Sequence, residues 1–167
     1  MSRRSKDEDF DTRIDVLRTR IKDSDDLNVQ DAVFDKRTLM DLYSLASKGV
    51  IDALGGSICT GKEANIFRAL VGSRELALKI YRISTSNFNV MQDYLHGDPR
   101  FGSVKGTKRA IVAAWTRKEY RNLMRAEEVG VRVPHPITMK ENILVMDLIG
   151  KGDYVAPPLK DVELASA

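Results

Sequence analysis

A single cysteine, Cys59, occurs in 167 residues. That excludes an internal disulfide and points to a reducing compartment. Two histidines and one cysteine cannot assemble a zinc site of the usual ligand types. No apolar stretch approaches the ~20 residues that a membrane-crossing helix needs. The basic start, Met1-Ser2-Arg3-Arg4-Ser5-Lys6, has no apolar segment behind it and does not read as a signal peptide. These absences predict a cytoplasmic protein with no membrane partner.

What is present is a charge-rich globular composition, 43% hydrophobic and 31% charged. The length suffices for one domain with a real core. The net charge of +3 is too small to draw nucleic acid to the chain as a whole. Basic residues nevertheless gather at Lys105, Lys108, Arg109, Arg117, Lys118, Arg121 and Arg125, against Glu119 alone. They read either as the solvated face of a helix or as a dock for a phosphate-rich partner such as RNA.

Residues 1–30 form a charged arm, in which Ile14, Leu17 and Ile21 are spaced for a short amphipathic helix. Residues 31–49 hold a helix, with Asp35 placed as its N-cap and Gly49 as its terminator. A β region follows. Val50 to Leu54 leads into a glycine-containing loop, Gly56-Ser57-Ile58-Cys59-Thr60-Gly61-Lys62-Glu63-Ala64. Ala64 to Leu70 and Glu75 to Tyr81 read as hairpin strands around Gly72-Ser73. In the second strand Leu76, Leu78 and Ile80 share one face, and Ala77, Lys79 and Tyr81 the other. From 84 to 106 the pattern weakens, with a helical turn or two around Phe88, Met91 and Leu95. Thr107 to Val129 is the clearest helix. Its stripe of Val112, Trp115, Glu119, Leu123 and Ala126 predicts a buried face with Glu119 at its centre. Two strands follow, Pro136 to Met139 and Ile143 to Ile149. Gly150 to Asp153 then opens a flexible connection, and Leu159 to Leu164 is at most a short helix.

Three features carry chemistry. Lys79 projects from a strand away from its main apolar face. Glu119 lies on an apolar helix face, where an unpaired carboxylate is costly and needs a cation. Upstream of both is the glycine loop. A loop over phosphates, a strand lysine and a helix glutamate, in that order, form the front half of a protein kinase nucleotide site. Met146-Asp147-Leu148-Ile149 falls where the adenine-binding hinge belongs.

Two other motifs mislead. Gly56-x-x-x-x-Gly61-Lys62 begins like a Walker A loop. The next residue should be Ser or Thr and open a helix, but it is Glu63 and a strand-like run follows. His96-Gly97-Asp98 has the start of a catalytic loop, yet Ser103 stands where Asn is required and the motif precedes the long helix.

The runs Gly61-Lys62-Glu63-Ala64-Asn65, Lys79-Ile80-Tyr81-Arg82, Gly97-Asp98-Pro99-Arg100-Phe101 and Lys118-Glu119-Tyr120-Arg121-Asn122-Leu123 resemble the RIO family of atypical serine/threonine kinases, type-one branch. The likeness runs from about Val33 to the C-terminus. It implies an α+β fold: a kinase-like small lobe of five antiparallel strands plus a long αC-type helix, preceded by an extra N-terminal helix. It implies an ATP site of Ser57, Ile58, Cys59, Thr60, Gly61, Lys62, Glu63, Ala64, Lys79, Glu119, Met146, Asp147 and Ile149, with Mg2+ as the accompanying cation. Residues 84–106 resemble the family's flexible, autophosphorylated loop. The family implies pre-small ribosomal subunits as partners. Cys59 departs from a position that is more often Ser.

The resemblance lacks its second half within these residues. Residues 50–150 read as the small lobe and 151–167 as the start of a connection to a large lobe. The catalytic-loop Asp and the metal ligands have no counterpart after Gly150. The expectation is therefore no catalytic or metal-binding residue here. Its rival is a non-catalytic ribosome- or RNA-docking module. An open lower face also predicts self-association of the isolated lobe.

Overall fold

The computed structural model describes residues 34–84, 91, 93, 107–151, 154–157 and 162. The readings at Ile14 to Ile21, Phe88, Leu95 and His96 to Asp98 lie outside them, as does the stretch from Leu159 to Leu164 apart from Val162.

Helix α1 spans Lys36–Ser47. Asp35 caps it, its side chain accepting from the Thr38 amide at 2.8 Å. Helix α2 spans Lys108–Glu128 and is capped by Thr107. Both helices end alike: Gly49 and Gly130 turn left-handed at φ 69 and 80. Val50 N–H then reaches back to the Leu45 carbonyl, and Val131 N–H to the Ala126 carbonyl.

Between them lie β1 (Ala53–Thr60), β2 (Ala64–Val71) and β3 (Arg74–Tyr81), and after α2 come β4 (Pro136–Lys140) and β5 (Ile143–Asp147). They form one antiparallel sheet in the order β1-β2-β3-β5-β4. The alternation expected of β3 is observed. Leu76, Leu78 and Ile80 join Leu42 and Leu45 of α1, Phe67, Ile143 and Val145 in one core. On the opposite face Ala77, Leu144 and Met146 meet Tyr120 and Leu123 of α2, while Tyr81 packs with Met91, Ile111 and Val112. The sheet is thus the middle layer of three. Burying one such side chain contributes about 1.5–3 kcal/mol, so the two cores dominate the stability.

Three expectations change. The glycine loop is mostly strand. β1 pairs with β2 as far as Thr60↔Asn65, with irregularities between Leu54 and Ser57 and between Ser57 and Cys59. Bulges absorb the weak strand preference of Gly55-Gly56, so the loop contracts to Gly61-Lys62-Glu63. The connection after β5 is likewise not open coil. β6 (Gly150–Lys151) pairs with β7 (Tyr154–Val155). Only glycine fits at 150, because a Cβ there would stand 2.2 Å from the Tyr154 carbonyl oxygen. Finally, the α2 stripe is buried at Val112 but only half-buried at Trp115, Glu119, Leu123 and Ala126. That part of the helix borders an open cavity of about 380 Å³ lined by Trp115, Lys118, Glu119, Asn122, Leu123 and Ala126.

Candidate nucleotide site

Lys79 sits in the middle of the sheet, opposite Ile66 of β2 and Leu144 of β5. Strand alternation turns it away from the α1 core and toward α2. Glu119 reaches it from α2. The Lys79 ammonium donates to both carboxylate oxygens, at 2.8 and 3.1 Å. The two side chains are 26% and 27% exposed, so the pair is neither dry nor freely solvated. The ammonium also lies 5.2 Å from the centre of the Tyr81 ring. A semi-buried ammonium with an accessible face can still receive an anion, which neither a fully buried nor a fully exposed lysine does as well.

The β1–β2 tip is brought to the end of β3 that carries Lys79. Ala64 pairs with Tyr81, and the Arg82 amide donates to the Glu63 carbonyl at 2.8 Å. Asn65 is fully buried and accepts from Arg82 Nε and Nη2 at 3.1 and 3.0 Å. Within the tip, the Gly61 amide donates to the Ala64 carbonyl at 3.0 Å. Ser57 and Thr60 hydroxyls lie 3.4 Å apart. Ile58 is half-buried and Cys59 exposed, as are Lys62 and Glu63. A strand follows Lys62, not a helix, so the Walker geometry is absent.

At the far end of the sheet, Asp147 is held by Arg74, whose Nε lies 2.9 Å and Nη2 2.6 Å from Oδ1. The Asp147 amide donates to the His135 carbonyl and the Leu148 amide to the Glu75 carbonyl. The Ile149 carbonyl accepts from Ala156. Among the described residues no backbone carbonyl accepts from the Ile149 amide. Met146 is buried beneath it, against Ala77 and Leu144. A second cavity of about 380 Å³ lies between Gly56, Ser57 and Ile58 of β1, Arg68 of β2 and Val155 of β7.

The geometry therefore unites Lys79 with Glu119 and brings the Gly61–Glu63 tip to the same end of the sheet. Met146, Asp147 and Ile149 stand at the opposite end. Among the described residues no group of three or more His, Cys, Asp or Glu side chains could hold a metal ion. No helix among them is long and apolar enough to cross a membrane. Sequence reasoning missed the Arg82–Asn65 clamp and the Arg74–Asp147 tie. Asn65 and Arg82 both lay inside the motifs, but nothing in their spacing joins them before the β2–β3 register is known.

A polar junction lies at the other edge of the core. Arg109, in the first turn of α2, pairs with Asp35 at the start of α1. Arg109 also donates to Asn142 at 3.4 Å. Burial alone would raise the Asp35 carboxyl, but the Thr38 amide and Arg109 bring it below the usual carboxylate range. Burial raises Asp41, against the opposing pull of Lys140.

Comparison with known proteins agrees with this architecture. A RIO domain family model matches residues 65–167. The RIO-type serine/threonine-protein kinase Rio1 of Haloferax volcanii is 49% identical over 162 residues, 96% of this chain and 54% of that protein. The serine/threonine-protein kinase RIO1 of Homo sapiens is 40% identical over 151 residues, 89% of this chain and 27% of that protein. The chain thus spans about half the length, or less, of the curated relatives it matches. Among solved structures, the Rio2 kinase-ADP/Mg2+-phosphoaspartate complex from Chaetomium thermophilum aligns with TM-score 0.53 at 25% identity. That alignment covers 76% of this chain and 35% of the other. A kinase-like small lobe with a strand lysine paired to a helix glutamate, carrying a RIO domain match over most of its length, belongs to the RIO family.

Proposed function

We propose that this chain is the nucleotide-gripping lobe of an ATP-dependent RIO-type serine/threonine kinase. The bidentate Lys79–Glu119 pair is the observation that carries the reading. In this reading Glu119 orients Lys79, and Lys79 offers a point charge to the α- and β-phosphates. Backbone amides of the Ser57 to Ala64 segment approach the phosphates from above. Adenine lies against Met146 and Ala77, with the Ile149 amide and the Asp147 carbonyl at its edge. The donor set near Lys79 suits phosphate oxygens. It does not suit Mg2+, whose oxygen ligands would be carboxylates or amide carbonyls that these residues do not group together. Small ribosomal subunit maturation is the role that the family resemblance implies, with the cytoplasm as its place.

The test is equilibrium binding of ATP to the purified chain. Saturable binding that Lys79→Met abolishes or strongly weakens supports the reading. Binding that Lys79→Met leaves unchanged overturns it.

A second reading, a non-catalytic RNA or ribosome dock, is supported by the exposure of Arg117, Arg121 and Arg125 on α2 and of Arg132 beyond it. Salt-dependent binding to single-stranded RNA without any binding of ATP would favour it.

A further inference from the structure

The extra helix α1 is not part of the nucleotide site, yet it is wired to both partners of the Lys79–Glu119 pair. The wiring passes through Asn142, in the turn between β4 and β5, whose side chain is fully buried. Its Nδ2 donates to the Tyr81 carbonyl at 2.8 Å and to the Thr38 hydroxyl at 3.2 Å. Its Oδ1 accepts from Arg109 at 3.4 Å. Its own carbonyl accepts from the Tyr81 amide at 2.9 Å. Tyr81 lies two positions after Lys79 on β3. Arg109 lies ten positions before Glu119 on α2, about 15 Å along a helix axis. Asp35 and Thr38 belong to the start of α1, and Thr38 is fully buried. The junction thus joins one end of β3, the first turn of α2 and the first turn of α1.

A core needing only cohesion would be served by apolar side chains, because a buried amide and hydroxyl must be fully partnered to avoid a penalty. A polar junction instead fixes one arrangement, since every neighbour must stand where a hydrogen bond requires it. Arg109 is suited to this. Its side chain is only 14% exposed, and its rigid fork spans two elements. Further along α1, Lys140 donates to Ser44 at 2.8 Å and lies 3.6 Å from Asp41, a second tie between α1 and the same β4–β5 hairpin.

We infer that Arg109 and Asn142 are positioning residues that seat the N-terminus of α2 against β3 and α1, and thereby hold Glu119 within reach of Lys79. Lacking the junction, α2 keeps its apolar contacts through Ile111 and Val112 but loses the contact that fixes its angle. Glu119 then swings away from Lys79. The inference deepens the nucleotide reading, but its central claim concerns an ion pair and not a ligand.

Competitive acetylation with acetic anhydride, read residue by residue by mass spectrometry, reports the pair directly. An ammonium held by Glu119 acetylates slowly. Glu119→Gln gives the rate of a released Lys79, and exposed Lys48 serves as the internal reference. Arg109→Gln should raise Lys79 labelling several-fold, toward the Glu119→Gln rate, with Lys48 unchanged. Arg109→Lys, which keeps a cation for Asp35, should restore part of the protection. If Arg109→Gln loses its far-UV circular dichroism, Asp35→Asn takes its place under the same criterion. A folded variant whose Lys79 labels at the wild-type rate overturns the inference, as does an equal rise at Lys48, which would show general loosening. No nucleotide enters this measurement. A wild-type chain that fails to bind ATP therefore overturns the nucleotide reading and leaves the labelling result to decide this one.

Discussion

Lys79 on β3 and Glu119 on α2, separated by 40 positions of sequence, meet through two hydrogen bonds from one ammonium to both carboxylate oxygens. Each accounts for the other's placement on a face that is otherwise apolar.

Nucleotide titration should rank three variants. Lys79→Met removes the point charge and should weaken ATP binding most. Glu119→Gln frees the lysine without removing it and should weaken binding less. Lys62→Ala, at an exposed tip followed by a strand, should have the smallest effect. The single tryptophan, Trp115, lines the cavity beside Glu119. Its fluorescence gives a convenient signal. A dominant Lys62 effect would contradict the assignment of the phosphate grip to Lys79.

Phosphoryl transfer by these 167 residues alone should be absent. No His-x-Asp-x-x-x-x-Asn pattern occurs in the sequence. Labelled ATP with Mg2+ should leave no more phosphate on the chain than on a Lys79→Ala control. Incorporation above that control would show that another residue serves as the acceptor-positioning group.

Acid should loosen the junction at α1. Asp35 titrates lower in the folded chain than its ordinary value of 3.8, so its contribution is present above that value and fades as pH falls through the folded one. Asp41 works oppositely: burial lifts its carboxyl, so its ionisation costs stability that returns as pH falls. Thermal melts of wild type and Asp35→Asn should therefore converge toward low pH and differ most near neutrality. Asp35→Ala should lose about 1 kcal/mol through the missing helix cap alone. Parallel melting curves at every pH would show that the Asp35 carboxylate has no folded-state partner.

Gly150→Ala should disrupt the β6–β7 hairpin, since the added methyl would collide with the Tyr154 carbonyl. Amide exchange at Val155 and Ala156 should accelerate while the exchange of β3 amides stays slow. Unchanged protection at Ala156 would mean that the hairpin accommodates a side chain at this position.

Truncating Phe67, fully buried and 5.1 Å from the Phe34 ring, should cost about 3–5 kcal/mol. Denaturant unfolding measures this. A loss below 1 kcal/mol would mean that the α1 core collapses around the gap.

Much of this molecule was legible in the residues. The caps at Asp35 and Gly49, the β2–β3 hairpin and the long helix follow from local chemistry, and helical spacing alone aimed Glu119 at a cation. The extent of β1 was not legible. Glycines ordinarily announce a loop, and only the pairing partner reveals that bulges let the strand continue through Gly55 and Gly56. The exposure of the α2 stripe was also hidden, because periodicity shows which side chains share a face but not what covers that face. The Asn142 junction was hidden most deeply. Its members come from four separate stretches, and each alone reads as an ordinary cap, turn or charged surface residue.

The strand order has a consequence for how the chain reaches this state. β1, β2 and β3 form a meander that closes through short turns, and β4 and β5 form a separate hairpin. The two halves meet along one seam, where Leu76 faces Asp147, 71 positions away, and Ile80 faces Ile143, 63 positions away. Closing so long a loop must precede any reward from that seam, so local hairpins should form early and the seam late. The Lys79–Glu119 contact can be made only when α2 docks over that closed seam. Its appearance during refolding would therefore mark the final step of assembly.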